Sequence, residues 1–294
     1  IDTSLSDLER FPLKLSDLVV HPLDPFRGPV DIVWASSPTL AYDALPVVGL
    51  QGDRYYRPAW TSQDFAPYEG AIMFVDPSGR GKDETAYAIV KLLHGRLFLV
   101  ASGGFAGGYT AETPKALVML AKKHHVPKII CEPNYGGGMF TQLLRGVAQK
   151  YHLVGVEDAD WTNVSKEQRI VDILEPVLNQ HRLIVCPSVI EADHNSTLSR
   201  EGERAHEYRL FYQMARMVRQ KGALGQDDRL DALAGAVAYW IEHLSRDLDQ
   251  AALDHRQRTF DQELEKFVKG AMGKFGQVET RKFASTAGRR ASKV

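Results

Sequence analysis

The hydrophobic pattern of this chain changes period partway along its length. Residues 71–76, AIMFVD, are continuously apolar up to Asp76 and are followed by the turn signal PSGRG, which together read as a strand and its exit. TAYAIVKLLHG alternates enough for a second strand with a turn at His94-Gly95, and RLFLVASGGF is a third. Strands this close together form an antiparallel meander. Apolar residues then recur at helical spacing in TPKALVMLAKKHH, with Thr113 as its cap and Pro114 at the first position. His124 and His125 end that helix, where its dipole favours a cation. KIICEP is a buried fourth strand, parallel because a helix makes the crossover. GGGMFTQLLRGVAQKY is a helix, HLVGVED a fifth strand, KEQRIVDILEPVLNQ a helix despite Pro176, and RLIVCP a short extra strand. EYRLFYQMARMVRQ and DDRLDALAGAVAYWIEHLSRDL complete the pattern as two helices, the first with Tyr208, Phe211, Met214 and Met217 on a core face.

Three strands, then helix, strand, helix, strand and further helices make an α/β chain with a mixed sheet. An antiparallel three-strand meander is extended by parallel strands and flanked by helices. This is the element order of the ribonuclease H-like fold; a plain dinucleotide-binding sheet alternates from the start. The main domain is predicted over 67–248. Residues 1–66, rich in Pro, Asp and Ser, read as a connector or lid before it. Residues 249–294 read as a flexible tail. From 251 onward that tail carries ten Lys/Arg against five Asp/Glu, although the whole chain has a formal net charge of −1.

Composition narrows the choices further. With 44% hydrophobic and 25% charged residues among 294, the chain has the balance of a globular domain. No apolar run reaches the roughly 20 residues of a membrane helix, and no secretory leader opens the chain. The two cysteines, Cys131 and Cys186, sit in apolar runs and read as reduced, buried thiols of an intracellular protein. Neither CxxC nor HExxH occurs, so no zinc site is spelled out.

The acids carry the chemistry. Asp76 and Glu132 each follow an apolar run and precede a proline, at the ends of two strands expected to be neighbours. A carboxylate at a buried strand end is costly unless a cation or donor offsets it, and two together repel until a divalent ion intervenes. Asp228 and Asp231 are three apart at a helix start and share a face, with Asp227 about 100° to one side. Capping is the rival role for acids at that position. Three or four such acids form an oxygen-only site suited to two Mg²⁺ or Mn²⁺ ions. Lys166 and Arg169 share a face at the start of their helix, placed either to hold a phosphate or to orient a ligand. Arg80 and Lys82 stand in the turn after Asp76, either as phosphate contacts near the metals or as solvated turn charges. SGRGKDE is not a phosphate loop, because Asp76 occupies the first glycine position and Asp83 the Ser/Thr position. Gly136 to Gly138 would let a backbone approach Glu132, and Trp161 is either a wedge at DNA or a packing residue.

The segments VDPSGRGKDETAYA, CEPNYGGGMF, KEQRIVDILEPVLNQHRLIV, LFYQMARMVRQKGAL and DDRLDALA resemble the nuclease domain of phage large terminase subunits, specifically the packaging (maturase) subunit of short-tailed podovirus-type phages. The resemblance spans about Asp76 to Trp240, and TSLSDLERFPLKLSDLVV is similar to the segment joining motor and nuclease in that family. It implies a metal-dependent endonuclease that cuts concatemeric double-stranded viral DNA during packaging. Asp76, Glu132, Asp228 and Asp231 would be the metal-binding and catalytic acids, and Mg²⁺ or Mn²⁺ the cofactor. It further implies duplex DNA, a portal, a small terminase subunit and a motor domain of the same chain as partners, and the host cytoplasm as location, with no membrane. No Walker A sequence is present. Two other classes stay open: a non-catalytic module docking on a portal or small subunit, and an actin-like ATP-binding domain. A junction-resolving nuclease is a chemical relative of the first reading.

Overall fold

The proline-rich first segment is drawn into the main sheet. The computed structural model describes residues 10–259 except 51, 79–82, 107, 134–137, 161–163, 201, 203, 223, 248–249, 251–252 and 254–255; residues 1–9 and 260–294 also lie outside the described set. Leu13, Leu15 and Leu18 are buried, and they deliver Val19–Val20 (β1) to an edge of the sheet. Arg27–Pro29 (β2) pairs antiparallel with Phe65–Pro67 (β5), and Ile32–Val33 (β3) with Trp60–Thr61 (β4). Contacts group Ile1–Ile241 as one unit and Glu242–Val294 as another. The segment read as a connector is therefore continuous with the first unit and contributes a sheet strand. In the second unit residues 242–247 are helical, with Arg246 paired to Glu242, and the expected basic tail falls almost wholly outside the described residues.

The meander forms as its apolar runs require. Gly70–Asp76 (β6), Thr85–Leu93 (β7) and Arg96–Phe105 (β8) are antiparallel neighbours, with a bulge between Ile89 and Val90. Lys128–Cys131 (β9) and Gly155–Asp158 (β10) extend the sheet beside β6, both parallel to it. On the other side Leu183–Val185 (β11) joins β8 in parallel, and β1 joins β11. The order is β1-β11-β8-β7-β6-β9-β10, a mixed sheet of the ribonuclease H-like kind.

Alternation along β6 divides the core between two faces. Met73 and Val75 pack with Leu117, Val118, Phe140 and Leu144, from helices Glu112–Lys123 (α1) and Met139–Tyr151 (α2). Phe74 points the other way, onto Gly235 of the helix that begins at residue 228. Between these lie Lys166–Asn179 (α3), Pro187–Asn195 (α4) and the short Leu210–Arg216 (α5); the helix from 228 is α6. Gly235 leaves the room that Phe74 needs, since a Cβ there would collide with the ring. Trp240 closes the same interface, its Nε1 donating to Val90 O at 3.1 Å. No helix among the described residues is long and apolar enough to cross a membrane.

Several local expectations are corrected. Helix α1 starts at Glu112 with Ala111 at its cap position, so Thr113 is inside the helix rather than capping it. His124 does not serve as a dipole cation, because burial and then Lys123 and Lys91 push its pKa down to about 4. The predicted single helix from Glu207 breaks into a 3₁₀ turn, Ala205–Tyr208, and α5; Phe211, Met214 and Met217 are buried while Tyr208 is half-buried. Cys131 is a buried free thiol, but Cys186 is only partly buried.

Candidate metal centre

Register alone brings the first two acids together. Val75 lies opposite Cys131 across the parallel β6–β9 pair, and Glu132 N donates to Val75 O at 2.9 Å. The next residue on each strand is an acid, so Asp76 and Glu132 emerge side by side at the carboxyl edge of the sheet. Helix α6 supplies the third. Asp231 N donates to Asp227 O at 2.9 Å, the first turn of the helix, which makes Asp227 the cap position and Asp228 the first helical residue. Oxygen atoms of Asp76, Glu132 and Asp231 all lie within 4.8 Å of one another, and all three residues are buried.

The rival reading of the helix acids as caps does not account for their contacts. The orphan N–H of Leu230 is taken by Gln213 Oε1, at 3.0 Å, from α5. The acid side chains turn instead to two cations on α3. Lys166 Nζ stands 3.3 Å from Asp76 Oδ2, 2.9 Å from Asp227 Oδ1, 3.2 Å from Asp231 Oδ2 and 3.8 Å from Asp228 Oδ1. Arg169 Nη2 reaches both oxygens of Asp231, at 2.7 and 2.9 Å, and shares Glu132 Oε1 with Nη1 at 3.0 Å. Of the two roles read for Lys166 and Arg169, the observed contacts are those of carboxylate orientation.

The electrostatics are those of an acid cluster with too few cations. Among the described residues five carboxylates, Asp76, Glu132, Asp227, Asp228 and Asp231, face two cationic side chains, an excess of three negative charges when all are ionised. Burial raises the Asp76 carboxyl well above its ordinary value; Lys166 opposes this, while Asp231, Glu132 and Asp228 add to it. Burial likewise pushes Asp228 to about 7 against the pull of Lys166, and Asp231 to about 6. Burial pulls the Lys166 ammonium down, but Asp76, Asp231 and Asp227 outweigh it and hold it charged.

These residues fit a divalent cation. The donor set is all oxygen, as Mg²⁺ and Mn²⁺ prefer. Glu132 Oε2 and Asp228 Oδ2 are buried with no hydrogen-bond partner among the described residues, a costly state that a cation would relieve. Lys166 and Arg169 remain partly exposed, so the cluster borders solvent. Arg80, Lys82, Trp161, Gly136 and Gly137 lie outside the described residues. Gly138 takes a left-handed backbone (φ 85°) at the start of α2, beside the Asp158 carboxylate. The sequence reading missed Arg229, on the back of the first turn of α6, and Glu84, Asp193 and Gln213, which hold that turn from behind. A signal for one of them was present, since Arg229 is a charged residue set inside the otherwise apolar and acidic DDRLDALA.

Residues 75–183 match the family model described as the ribonuclease H-like domain of the bacteriophage T7 terminase. The chain is 39% identical over 239 residues to the terminase large subunit of Enterobacteria phage T3, covering 81% of this chain and 41% of that protein. It thus spans well under half the length of this relative. Among solved structures it is similar to the large terminase nuclease of thermophilic phage G20c, at 12% identity and a TM-score of 0.43, covering 78% of this chain and 98% of that one. It is similar also to the Mn-soaked human cytomegalovirus terminase nuclease domain, at 15% identity and a TM-score of 0.42, with 58% and 82% covered. Residues 75–183 of this chain are a terminase ribonuclease H-like domain of the bacteriophage T7 type.

Proposed function

We propose that this chain is the metal-dependent endonuclease of a phage packaging terminase, hydrolysing double-stranded DNA at the Asp76, Glu132 and Asp231 centre. One observation carries the reading: three buried carboxylates from two strand ends and a helix converge within 4.8 Å, and one Glu132 oxygen has no hydrogen-bond partner among the described residues. The family match, over residues 75–183, supports a nuclease role and takes in Asp76 and Glu132. Asp76, Glu132 and Asp231 would hold one divalent ion, and Asp228, with its own unpartnered oxygen, would contribute to a second. Bound there, Mg²⁺ or Mn²⁺ would supply positive charge for activating a water and for stabilising the leaving 3′ oxygen of a phosphodiester.

The remaining work falls to side chains of this chain. Arg169 holds Glu132 and Asp231 in one orientation, forking between them. Lys166 offsets acid charge where the centre meets solvent, the side from which a DNA phosphate would arrive. Arg80 and Lys82 are proposed as phosphate contacts, so binding would weaken steeply with salt. The natural substrate would be concatemeric viral DNA, cut in the host cytoplasm during packaging. Residues 1–66 would link the nuclease to a motor domain, with the portal and small subunit as further partners.

The reading is tested on supercoiled plasmid with Mg²⁺, Mn²⁺ or EDTA, beside Asp76→Ala. Metal-dependent nicking and linearisation that vanish in Asp76→Ala are expected. A folded protein that binds DNA and cuts with neither ion would overturn it.

A further inference from the structure

Immediately behind the acid-bearing turn of α6 lies a second charged cluster, with Glu84, Asp193 and Arg229 buried at its centre. Arg229 follows Asp228 and precedes Asp231 by two, so on a helix its side chain leaves from the back of the acid face. It is among the largest fully buried side chains, 1% exposed. Its Nε donates to Glu84 Oε1 at 2.5 Å and its Nη2 to Glu84 Oε2 at 3.3 Å, just before β7. Its Nη1 donates to Asp193 Oδ1 and to Ser196 Oγ, both at 2.8 Å, at the end of α4. Asp193 in turn accepts from Leu210 N at 2.9 Å and Phe211 N at 3.3 Å, fixing the start of α5. Arg200 closes the cluster on Glu84. The sheet makes space for it, because a Cβ at Gly104 would strike the Glu84 carboxylate.

We propose that Arg229 is a positioning residue: it ties the first turn of α6 to β7 and α4, and so holds Asp228 and Asp231 in register with Asp76 and Glu132. The inference rests on the metal-centre reading above. Among the described residues its two acids and two arginines balance, so these four locate the α6 acids without adding net charge of their own. A buried ion pair is a poor means of gaining stability, since apolar residues of equal volume usually do as well. What this one supplies is direction. The guanidinium fork accepts partners only in its own plane, and it has them on two different elements. Gln213 adds a second fixed point by capping Leu230 N from α5. A carboxylate set must keep its geometry within a few tenths of an ångström to bind a divalent ion well, and residues behind the ligands supply that geometry.

The test compares wild type, Arg229→Lys, Glu84→Gln, Ser196→Ala and a distant core variant, Phe98→Leu. Free Mn²⁺ is followed by electron paramagnetic resonance, and the thermal midpoint is measured in EDTA. Arg229→Lys and Glu84→Gln should weaken Mn²⁺ binding about tenfold, and Ser196→Ala should do so less. Phe98→Leu should lower the midpoint while binding Mn²⁺ as wild type does. Should Arg229→Lys not fold, the two milder variants decide. Mn²⁺ affinity within twofold of wild type in Glu84→Gln and Ser196→Ala overturns the positioning role and leaves the metal centre standing. An equal loss in Phe98→Leu also overturns it, since the effect would then follow stability alone. A wild-type protein that binds no Mn²⁺ overturns the metal-centre reading, and this inference with it.

Discussion

Lys166 Nζ stands 3.3 Å from Asp76 Oδ2, so an ammonium group sits against the acid that the first strand of the meander carries to the sheet edge. The same nitrogen lies within 4 Å of three further carboxylates. Lys166 therefore offsets in part the charge that divalent ions would offset more fully, and the two compete. Lys166→Ala should lower the thermal midpoint in EDTA by several degrees, because it leaves five acids with Arg169 alone among the described residues. It should also enlarge the rise in midpoint that Mn²⁺ produces. Differential scanning fluorimetry with and without Mn²⁺ reads both. A variant with an unchanged midpoint in EDTA would show that the lysine contributes nothing to charge balance.

Asp231→Asn keeps the shape of the residue but removes a charge from the three-acid core. Loss of one ligand from such a centre should cost several kcal/mol of transition-state stabilisation, a fall in plasmid cleavage of about a hundredfold or more. Asp228→Asn separates two effects. Its carboxyl is pushed up to about 7 by burial, so ionising it at pH 8 opposes folding. The variant should melt higher than wild type in EDTA at pH 8, yet gain less from Mn²⁺. An unchanged midpoint together with an undiminished Mn²⁺ response would remove Asp228 from the centre.

The pH dependence follows from the same shifts. In the folded chain Asp228 and Asp231 titrate near 7 and 6, above the ordinary carboxylate value of 3.8, mainly through burial. The folded state therefore holds protons that the unfolded chain releases. Stability from these groups is present below about pH 4 and is lost as pH rises through 6 to 7. Divalent ions bind the ionised form, so their affinity must rise over that window and level off above it. The midpoint in EDTA should fall between pH 5 and 8, and the Mn²⁺-induced increment should grow. Calorimetric Mn²⁺ titrations at pH 5.5, 6.5 and 7.5 that gave one affinity would contradict the assignment of these acids as ligands.

How far the chain discloses its own fold depends on range. Asp76 and Glu132 were legible because each ends an apolar run, and strand ends are local. Their adjacency followed from the meander and one helical crossover, both governed by short-range rules. Val19–Val20 was not legible, since two residues carry no period, and their strand exists only because β11 offers an edge more than 160 residues away. The capping alternative for the α6 acids could not be settled locally, for a similar reason. Asp227 and Asp228 are good caps by residue type, but Gln213 arrives from another helix and Lys166 draws the acids elsewhere. The Glu84, Asp193 and Arg229 cluster lies entirely in tertiary contacts, so Glu84 and Asp193 read in the sequence as ordinary charges, and Arg229 stands out only by its setting in DDRLDALA.

The seat of α6 on the sheet gives a stability test that does not involve the metal. Phe74 occupies the space beside Gly235, and a Cβ at Gly235 would strike its ring. On an open helix face Gly→Ala is stabilising by roughly 1 kcal/mol. Here the clash should reverse the sign, since overpacking a filled interior costs about 1–3 kcal/mol. Phe74→Leu alone should also destabilise, by leaving part of the ring's volume empty. Together the two changes relieve each other, because the shorter side chain vacates the space the new methyl needs. The double variant should therefore be more stable than the sum of the singles by about 1 kcal/mol, as neighbours in contact usually are coupled. Urea denaturation of the four proteins measures that coupling. Strict additivity would mean that Phe74 and Gly235 do not touch, and that α6, with Asp228 and Asp231 on it, is seated on the sheet in some other register.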